Sequence, residues 1–262
     1  MNNQFLIDHY TNNDEDGRLV SKHGSVEFLT TMRYIEKYLK TGDKVLEIGA
    51  ATGRYSHALA RQGYVVDAIE LVEHNIDIFR KNTQPDEKVT IRRGNALDLS
   101  AFADNEYDLT LLLGPLYHLY NKEDKLTALR EAIRVTKQGG IIFAAYCISD
   151  ATILTEFFKK DIFSIREFIE KGLIDPHTFA TKSEPEDLFE LVRKEEIDEL
   201  MSELPVTRLH YVASDGYAHH MSEAIDEMDD DTFKLYLKYH FATCEREDFV
   251  GISHHVIDIF RK

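Results

Sequence analysis

The sequence is poor in cysteine and has no long apolar run. Its only cysteines are Cys147 and Cys244, too few for a disulfide framework and not spaced as a CxxC metal motif. No apolar stretch approaches the roughly 20 residues that a membrane-spanning helix needs. The first 18 residues are polar and acidic and lack the basic start and apolar centre of a secretory signal. We therefore expect a cytoplasmic protein.

Basic patches are also missing. Residues 1–150 hold 18 Lys and Arg against 22 Asp and Glu (net −4), and residues 151–262 hold 13 against 25 (net −12). Proteins that bind nucleic acids neutralise phosphates with clustered basic residues, whereas Arg92-Arg93 and Lys159-Lys160 are isolated pairs. We expect no nucleic-acid partner and no membrane partner, and the oligomeric state stays open.

Strand-like and helix-like segments alternate from residue 42 to residue 146. The apolar segments are nearly continuous, which is typical of parallel strands covered on both faces. The sequence therefore predicts an α/β fold with a doubly wound, mostly parallel sheet of seven strands. The expected strands are 44–49, 64–70, 88–94, 107–113, 139–147, 206–213 and 254–260.

The segments around this unit are predicted to be helical. Residues 1–41 form an N-terminal helical cap, with one helix over 26–39. Residues 42–149 and 205–262 form the core. Residues 150–204 read as helical throughout and are predicted to be an insertion that covers the sheet edge as a lid.

The segment KVLEIGAATGRY, residues 44–55, predicts a ligand site at the end of the first strand. Ligands bind at the carboxyl ends of such strands, and Gly49 and Gly53 permit a tight turn and close backbone approach. Glu70 ends the second strand, where a carboxylate can accept both ribose hydroxyls. Asn95 follows the third, where its amide oxygen can accept from an adenine amino group.

The composition of this turn distinguishes between two nucleotide-like ligands. A dinucleotide pyrophosphate requires GxGxxG and helix amides aimed at the phosphates. Here a GxxxG turn follows Glu47, whose carboxylate repels a pyrophosphate and suits an ammonium group. The ligand that combines adenine, ribose and an amino acid is S-adenosylmethionine, which we predict as the cofactor.

Three segments resemble the class I S-adenosylmethionine-dependent methyltransferases. They read VLEIGAATGRYSHALARQGYVVDAIELVEHNI, VTIRRGNALDLSAFADNEYDLTLLLGPLYHL and ALREAIRVTKQGGIIFAAY, within residues 42–147. The resemblance implies a Rossmann-like methyltransferase fold, an antiparallel final strand at 254–260, and an enzyme whose second product is S-adenosylhomocysteine.

The resemblance also implies which residues bind the methyl donor. The methionine part lies against Glu47, Gly49, Ala51 and Gly53, Glu70 holds the ribose, and Asn95 with Ala96 meets the adenine. Tyr55, Leu71, Leu113 and Gly114 are further expected donor contacts. The family pattern is broken at two positions: glycine is usual where this chain has Ala51, and aspartate is usual where it has Asn95.

Three other residues are candidates for the donor's carboxylate end. Tyr10 and Arg18 lie in an N-terminal segment of a kind that often folds over the donor in this family, and Arg54 lies inside the glycine turn. An Arg can pair with the methionine carboxylate. The alternative for the run NNDEDGR is a mobile surface loop.

The acceptor side is predicted from GPLYHLY, residues 114–120. Enzymes of this type that methylate adenine carry Asn or Asp, then Pro-Pro and an aromatic residue, whereas this chain has Gly114-Pro115-Leu116-Tyr117. Tyr117 and His118 are the candidate catalytic residues, which shape the sulfonium end of the donor or polarise an acceptor hydroxyl. The alternative is that Tyr117 packs under the loop and His118 forms a structural hydrogen bond.

No metal is expected from the sequence. The histidine pairs at 219–220 and 254–255 consist of adjacent residues, whose side chains point apart, and no cysteine or carboxylate stands at ligand spacing beside them. The acidic run DEMDDD, residues 226–231, lacks the 12-residue pattern of a calcium loop.

Methyl transfer to an oxygen or nitrogen of a small molecule is the predicted function. An apolar stripe in the insertion favours a closed pocket, although each of these residues can equally belong to the core: Phe157, Phe158, Phe163, Phe168, Leu188 and Phe189. The alternatives are methylation of RNA or protein, because this fold hosts many acceptors, and a non-catalytic module that binds the donor.

Overall fold

One mixed β-sheet organises the chain. The computed structural model describes residues 4–12, 19–160, 162–185 and 189–262. The strands are β1 Lys44–Ile48, β2 Val65–Glu70, β3 Val89–Arg93, β4 Tyr107–Leu112, β5 Thr136–Ile148, β6 Leu191–Val192, β7 Thr207–Ala213 and β8 His255–Arg261. All seven predicted strands are therefore present, and the short β6 is an addition.

The strand order is β3-β2-β1-β4-β5-β8-β7. Strands β3, β2, β1, β4 and β5 are mutually parallel, whereas β8 runs antiparallel to both β5 and β7. The predicted fold class and the antiparallel final strand are both confirmed. From β1 the chain adds β2 and β3 on one side, and it then returns to place β4 on the other side of β1. The loops after β1 and β4 therefore diverge and leave a crevice.

Helices cover the sheet and leave its central strands buried. They are α1 Gln4–Asn12, α2 Lys22–Tyr38, α3 Arg54–Arg61, α4 Glu73–Asn82, α5 Lys122–Val135, α6 Ser149–Thr152, α7 Ile165–Glu170, α8 Lys194–Ser202, α9 Ser222–Asp226, α10 Asp230–Thr243 and α11 Glu247–Val250. Val45, Leu46 and Ile48 of β1 are fully buried, because apolar side chains on both faces of a covered strand leave water. Helix α2 begins before the predicted residue 26, since the Ser21 side chain caps it by accepting a hydrogen bond from the amide of Gly24 at 3.1 Å.

The insertion is less helical than predicted. Helix α6 continues as a π-helical stretch, Ile153–Lys159, and α7 and α8 follow, but residues 171–193 contain turns and β6. The Asp175 carboxylate accepts hydrogen bonds from the amides of His177 and Thr178 at 2.9 and 2.7 Å, which favours a turn over a helix. Beyond the turn, Leu191 and Val192 pair with the end of β5. The boundaries of the cap and of the insertion stay predictions.

The carboxyl ends of β1, β2, β3 and β4 meet at one edge of the sheet. The amides of Gly49 and Ala50 donate to the carbonyl of Ile69 at 2.9 and 3.0 Å, which ties the first glycine turn to the end of β2. None of the helices within the described ranges is long and apolar enough to cross a bilayer. The crevice at this edge holds the candidate active site.

Candidate active site

The turn after β1 depends on left-handed backbone at three positions. Gly49, Ala51 and Gly53 have φ values of +75°, +46° and +93°. A Cβ atom on Gly49 would lie 2.7 Å from Pro115 Cδ, so glycine lets the loop after β4 pack against this turn. Ala51, which stands where the family has glycine, adopts a backbone conformation that costs an L-residue about 1–2 kcal/mol.

Glu70 holds two neighbouring loops together. Its carboxylate accepts hydrogen bonds from the amides of Ala51 and Val72, both at 2.9 Å. Burial raises the pKa of this carboxyl, and the backbone hydrogen bonds oppose that shift. The backbone of Leu71 and the side chain of Asn75 also donate to this carboxylate, so its orientation at the sheet edge is fixed from several sides.

Glu47 is the second buried carboxyl at this edge. Its side chain is nearly fully buried and accepts a hydrogen bond from the hydroxyl of Ser56. Burial raises the pKa of Glu47 to about 8, because a charged form is costly in a low-dielectric interior. A cation beside Glu47 would oppose this shift and favour the ionised form.

The loops after β2 and β3 bring polar groups opposite these carboxyls. Asn95 Oδ1 accepts a hydrogen bond from the amide of Leu97 at 3.0 Å, which fixes the turn that presents Asn95 and Ala96. Asn75, near the start of α4, was missed by the sequence analysis. Its side chain hydrogen-bonds Glu70, and its buried Oδ1 has no hydrogen-bond partner among the described residues. The only hint in the sequence is a polar residue at an otherwise buried position of a helix.

These loops enclose a cavity of about 140 Å³, hereafter the donor cavity. Fourteen of the predicted site residues line it: Tyr10, Glu47, Gly49, Ala51, Arg54, Tyr55, Glu70, Leu71, Asn95, Ala96, Leu113, Gly114, Tyr117 and His118. Gly53 is not among the lining residues, and its donor contact stays a prediction. A Cβ there would lie 2.4 Å from Phe79, so Gly53 permits α3 to start close against α4. Arg18 lies outside the described residues.

Helix α1 contributes Leu6 and Tyr10 to the wall of the donor cavity. The hydroxyl of Tyr10 is hydrogen-bonded to Nε2 of His118 at 2.8 Å, and the Tyr117 hydroxyl donates to the carbonyl of Leu113 at 2.8 Å. The Phe189 ring lies 5.6 Å from the Tyr117 ring and 5.3 Å from the His118 ring, between centroids. The cap, the loop after β4 and the insertion therefore meet at these residues.

A second and larger cavity, hereafter the acceptor cavity, adjoins the first. Its volume is about 760 Å³, and Tyr10 and Tyr117 line both cavities. Four aromatic residues of the predicted stripe line the acceptor cavity: Phe157, Phe163, Phe168 and Phe189. Phe158 is not among its lining residues and is 59% exposed, and Leu188 lies outside the described residues.

The fold places two carboxylates beside one histidine of each pair. Glu27, Asp215, His219 and His255 each offer a ligand atom, and these atoms lie within 4.8 Å of one another. The expectation that no carboxylate accompanies the histidines came from spacing along the chain. Helix α2, strand β8 and the loop after β7 converge here. Residues far apart in the sequence therefore become neighbours, and spacing along the chain does not predict the cluster.

Comparison with known proteins finds a family match within the core and solved structures that share the fold. Residues 46–144 match the family described as "Methyltransferase domain". The fold is shared with an S-adenosylmethionine-dependent methyltransferase from Methanosarcina mazei (TM-score 0.56, 20% identity, 87% of this chain and 96% of that one). It is also shared with a Thermotoga maritima methyltransferase described as a possible histamine N-methyltransferase (TM-score 0.57, 18% identity, 99% of each chain).

Sequence relatives match only part of their own length. A putative ribosomal RNA large subunit methyltransferase of Methanocaldococcus jannaschii is 30% identical over 157 residues, 54% of this chain and 39% of the relative. A demethylmenaquinone methyltransferase of Clavibacter sepedonicus is 33% identical over 102 residues, 38% of this chain and 40% of the relative. The chain thus spans about two fifths of the length of these relatives. Residues 46–144 therefore carry a methyltransferase domain, in agreement with the resemblance to the class I S-adenosylmethionine-dependent methyltransferases.

Proposed function

We propose that the chain transfers the methyl group of S-adenosylmethionine to an oxygen or nitrogen of a small molecule. The observation that carries this proposal is the junction of two cavities of different character. The donor cavity has a glycine turn and two buried carboxyls, and the acceptor cavity has aromatic walls. They meet at Tyr10 and Tyr117, where a methyl group can pass from one ligand to the other.

The proposed donor pose follows the order of the loops. Glu70 accepts the ribose hydroxyls, Asn95 and Ala96 contact the adenine, and the turn at Gly49 and Ala51 receives the methionine part. Glu47 lies beside this turn, where its ionised form favours the donor's ammonium group. Arg54, which is exposed at the rim of the cavity and packs over Phe28 at 4.8 Å, is the proposed partner of the donor's carboxylate.

The proposed reaction is an in-line displacement. The acceptor's lone pair forms a bond to the methyl carbon while the carbon–sulfur bond breaks, and S-adenosylhomocysteine leaves. Alignment and exclusion of water supply most of the rate, and a base is needed only for a nucleophile that must lose a proton. Tyr10 faces the acceptor cavity and is hydrogen-bonded to His118, so we assign the pair Tyr10–His118 to receive that proton. Tyr117 shapes the junction.

An RNA or protein acceptor is the second candidate, because a relative is described as a ribosomal RNA methyltransferase. The net charge of −16 disfavours a polyanionic acceptor. The Gly114-Pro115-Leu116-Tyr117 segment also lacks the amide or carboxylate that grips an exocyclic amine. Both observations favour the small molecule.

The proposal is tested by the transfer of labelled methyl from S-adenosylmethionine into a cell extract that is then separated into small molecules, RNA and protein. We expect the label in the small-molecule fraction with the wild type and in no fraction with Glu70→Ala. Label in RNA or protein would overturn the proposed acceptor class. Donor binding without label in any fraction would favour a module that only binds the donor.

The proposed role of His118 has its own measurement. His118→Ala should slow transfer by about 100-fold, which is the low end of general base catalysis, and leave the affinity for S-adenosylhomocysteine unchanged. Equal losses of transfer and donor affinity would instead assign His118 to the packing of the donor cavity.

A further inference from the structure

Four side chains from distant parts of the chain converge beside the two cavities. Glu27 comes from α2, Asp215 and His219 come from the segment after β7, and His255 is the first residue of β8. Their ligand atoms all lie within 4.8 Å of one another. Imidazole together with carboxylate is a ligand set that suits divalent zinc, manganese, iron and cobalt.

The distances within this cluster approach those of a coordinated ion. His219 Nε2 lies 3.5 Å from Asp215 Oδ2, and His255 Nδ1 lies 3.6 Å from Glu27 Oε2. Two donor atoms about 2.1 Å from one ion are separated by about 3.0–3.4 Å in octahedral or tetrahedral geometry. The contact of 2.8 Å between His255 Nδ1 and Asp215 Oδ2 is a hydrogen bond, whose proton an ion would displace.

Groups behind the cluster hold two of its members in place. Asp215 is fully buried, and its Oδ1 accepts hydrogen bonds from the Ser253 hydroxyl at 2.5 Å and the His254 amide at 2.9 Å. The ring of His255 also has a hydrogen bond with Cys147. Such outer partners orient metal ligands in known metal sites.

The cluster faces both cavities. Glu27 lines the donor cavity, and His219 and His255 line the acceptor cavity. The His255 ring lies 6.3 Å from the ring of Tyr117, which lines both cavities. A ligand in the acceptor cavity can therefore reach an ion held by these side chains.

We propose that Glu27, Asp215, His219 and His255 bind one divalent transition-metal ion, and that this ion takes up an oxygen of the acceptor. Four protein ligands leave one or two positions on a five- or six-coordinate ion. An ion at this position lowers the pKa of an acceptor hydroxyl, whose proton goes to Tyr10–His118 as the oxygen attacks the methyl carbon. The acceptor class is then a hydroxylated small molecule. The role of the ion in activating the acceptor rests on the proposed function, whereas the metal site itself does not.

Metal binding is tested on the full chain after dialysis against EDTA. Zn²⁺ is titrated by calorimetry, and Co²⁺ is titrated by its visible absorption, so that neither readout depends on activity. We expect one equivalent to bind, with an affinity at least about tenfold lower in both His219→Gln and Glu27→Gln, since even an outer partner contributes about 10- to 100-fold. Asp215→Asn is avoided, because Asp215 also anchors Ser253 and His254.

The neighbouring histidine supplies a matched control. His220 Nε2 is hydrogen-bonded to the carbonyl of Ile252 at 2.8 Å, and His220 is not a member of the cluster. His220→Gln should therefore bind Zn²⁺ like the wild type. Absence of saturable binding to the wild type would overturn the proposal and leave the cluster as a buried ion-pair network. Equal affinity in the wild type, His219→Gln and Glu27→Gln would overturn it too, since the ion would then lie elsewhere.

Titration of the metal-free protein with S-adenosylhomocysteine separates this inference from the proposed function. Donor binding without metal binding overturns the metal site alone. Metal binding without donor binding supports the metal site and contradicts the proposed function.

Discussion

The two cavities are built in different ways. The donor cavity is lined mainly by residues of the loops that directly follow β1, β2, β3 and β4, within residues 47–119. The acceptor cavity draws on α1 and on residues within 147–191 and 219–255. Sheet topology therefore determines the position of the donor cavity, whereas the acceptor cavity depends on segments outside the parallel unit.

The electrostatic character of the cavities differs in the same way. The donor cavity has the buried carboxyls Glu47 and Glu70 in fixed hydrogen bonds, which suits a cationic ligand with ribose hydroxyls. The acceptor cavity combines aromatic rings with His219, His254 and His255. If this division is correct, a substitution in one cavity should leave the affinity for the ligand of the other cavity unchanged.

The largest effect is expected from Gly49→Ala in the donor turn. The new Cβ would meet Pro115 at 2.7 Å in a left-handed backbone. Left-handed strain of about 1–2 kcal/mol and overpacking of about 1–3 kcal/mol should together lower the free energy of unfolding by about 2–5 kcal/mol. Donor affinity should fall as well. Urea denaturation and calorimetry with S-adenosylhomocysteine measure the two effects.

Gly63→Ala is the matched control for this substitution. Gly63 has φ +93° and nothing within 4 Å of the new Cβ, so only the backbone strain of about 1–2 kcal/mol applies. Donor affinity should stay at the wild-type value. Equal losses of stability in the two variants would show that the approach of Pro115 to the turn is unimportant.

Phe168→Ala should weaken acceptor binding and leave donor binding unchanged. The ring lines the acceptor cavity and lies 4.9 Å from the Phe157 ring, and loss of a buried apolar side chain costs about 1.5–3 kcal/mol. Transfer at limiting acceptor should therefore fall by about tenfold or more, with unchanged affinity for S-adenosylhomocysteine. Phe158→Ala, at a ring that is 59% exposed, should transfer like the wild type. A loss of donor affinity in Phe168→Ala would contradict the division between the cavities.

Glu47→Gln should change the pH dependence of stability. The Glu47 pKa is about 8 in the folded chain against an ordinary value of 4.5, so the unfolded chain binds fewer protons between these pH values. The Glu47 contribution to the free energy of unfolding therefore falls as the pH rises from about 5 to about 8, by at most about 1.4 kcal/mol per pH unit. The glutamine variant should lack this contribution.

Urea denaturation at pH 5, 6.5 and 8 measures that difference. The variant should gain stability relative to the wild type as the pH rises, and the wild type alone should bind S-adenosylhomocysteine more tightly towards pH 8. A difference in stability that stays constant with pH would show that Glu47 is ionised in the folded chain.

The smallest effect is expected for Ala51→Gly, which restores the glycine usual in the family. Relief of left-handed strain gains about 1–2 kcal/mol, and the greater backbone entropy of glycine in the unfolded chain costs about 0.4–1 kcal/mol. The melting temperature should therefore rise slightly. Donor affinity should stay within about twofold of the wild type, which corresponds to a free-energy difference of about 0.4 kcal/mol. A clear loss of stability would mean that the Ala51 methyl group makes a packing contribution larger than the strain.

The sequence allowed most of the observed lining of the donor cavity to be predicted, because each of its features is local. β1 and the turn after it lie within twelve residues, and Glu70 ends the next strand. Asn75 was missed because nothing in the sequence shows that a helix turns this amide towards Glu70. β6 was missed because two residues carry no periodicity. The cluster of Glu27, Asp215 and His255 spans more than 200 residues, so only the fold brings it together.

The central claim is that the crevice at the ends of β1 to β4 binds S-adenosylmethionine through Glu70. Calorimetric titration with S-adenosylhomocysteine tests it most directly, with wild type, Glu70→Ala and, as control, Glu73→Ala, whose side chain is 53% exposed. We predict one site in the wild type and in Glu73→Ala, and an affinity about 100-fold lower in Glu70→Ala, since hydrogen bonds to a charged group contribute about 1.5–3 kcal/mol. No binding to the wild type, or equal affinity in all three proteins, would contradict the account.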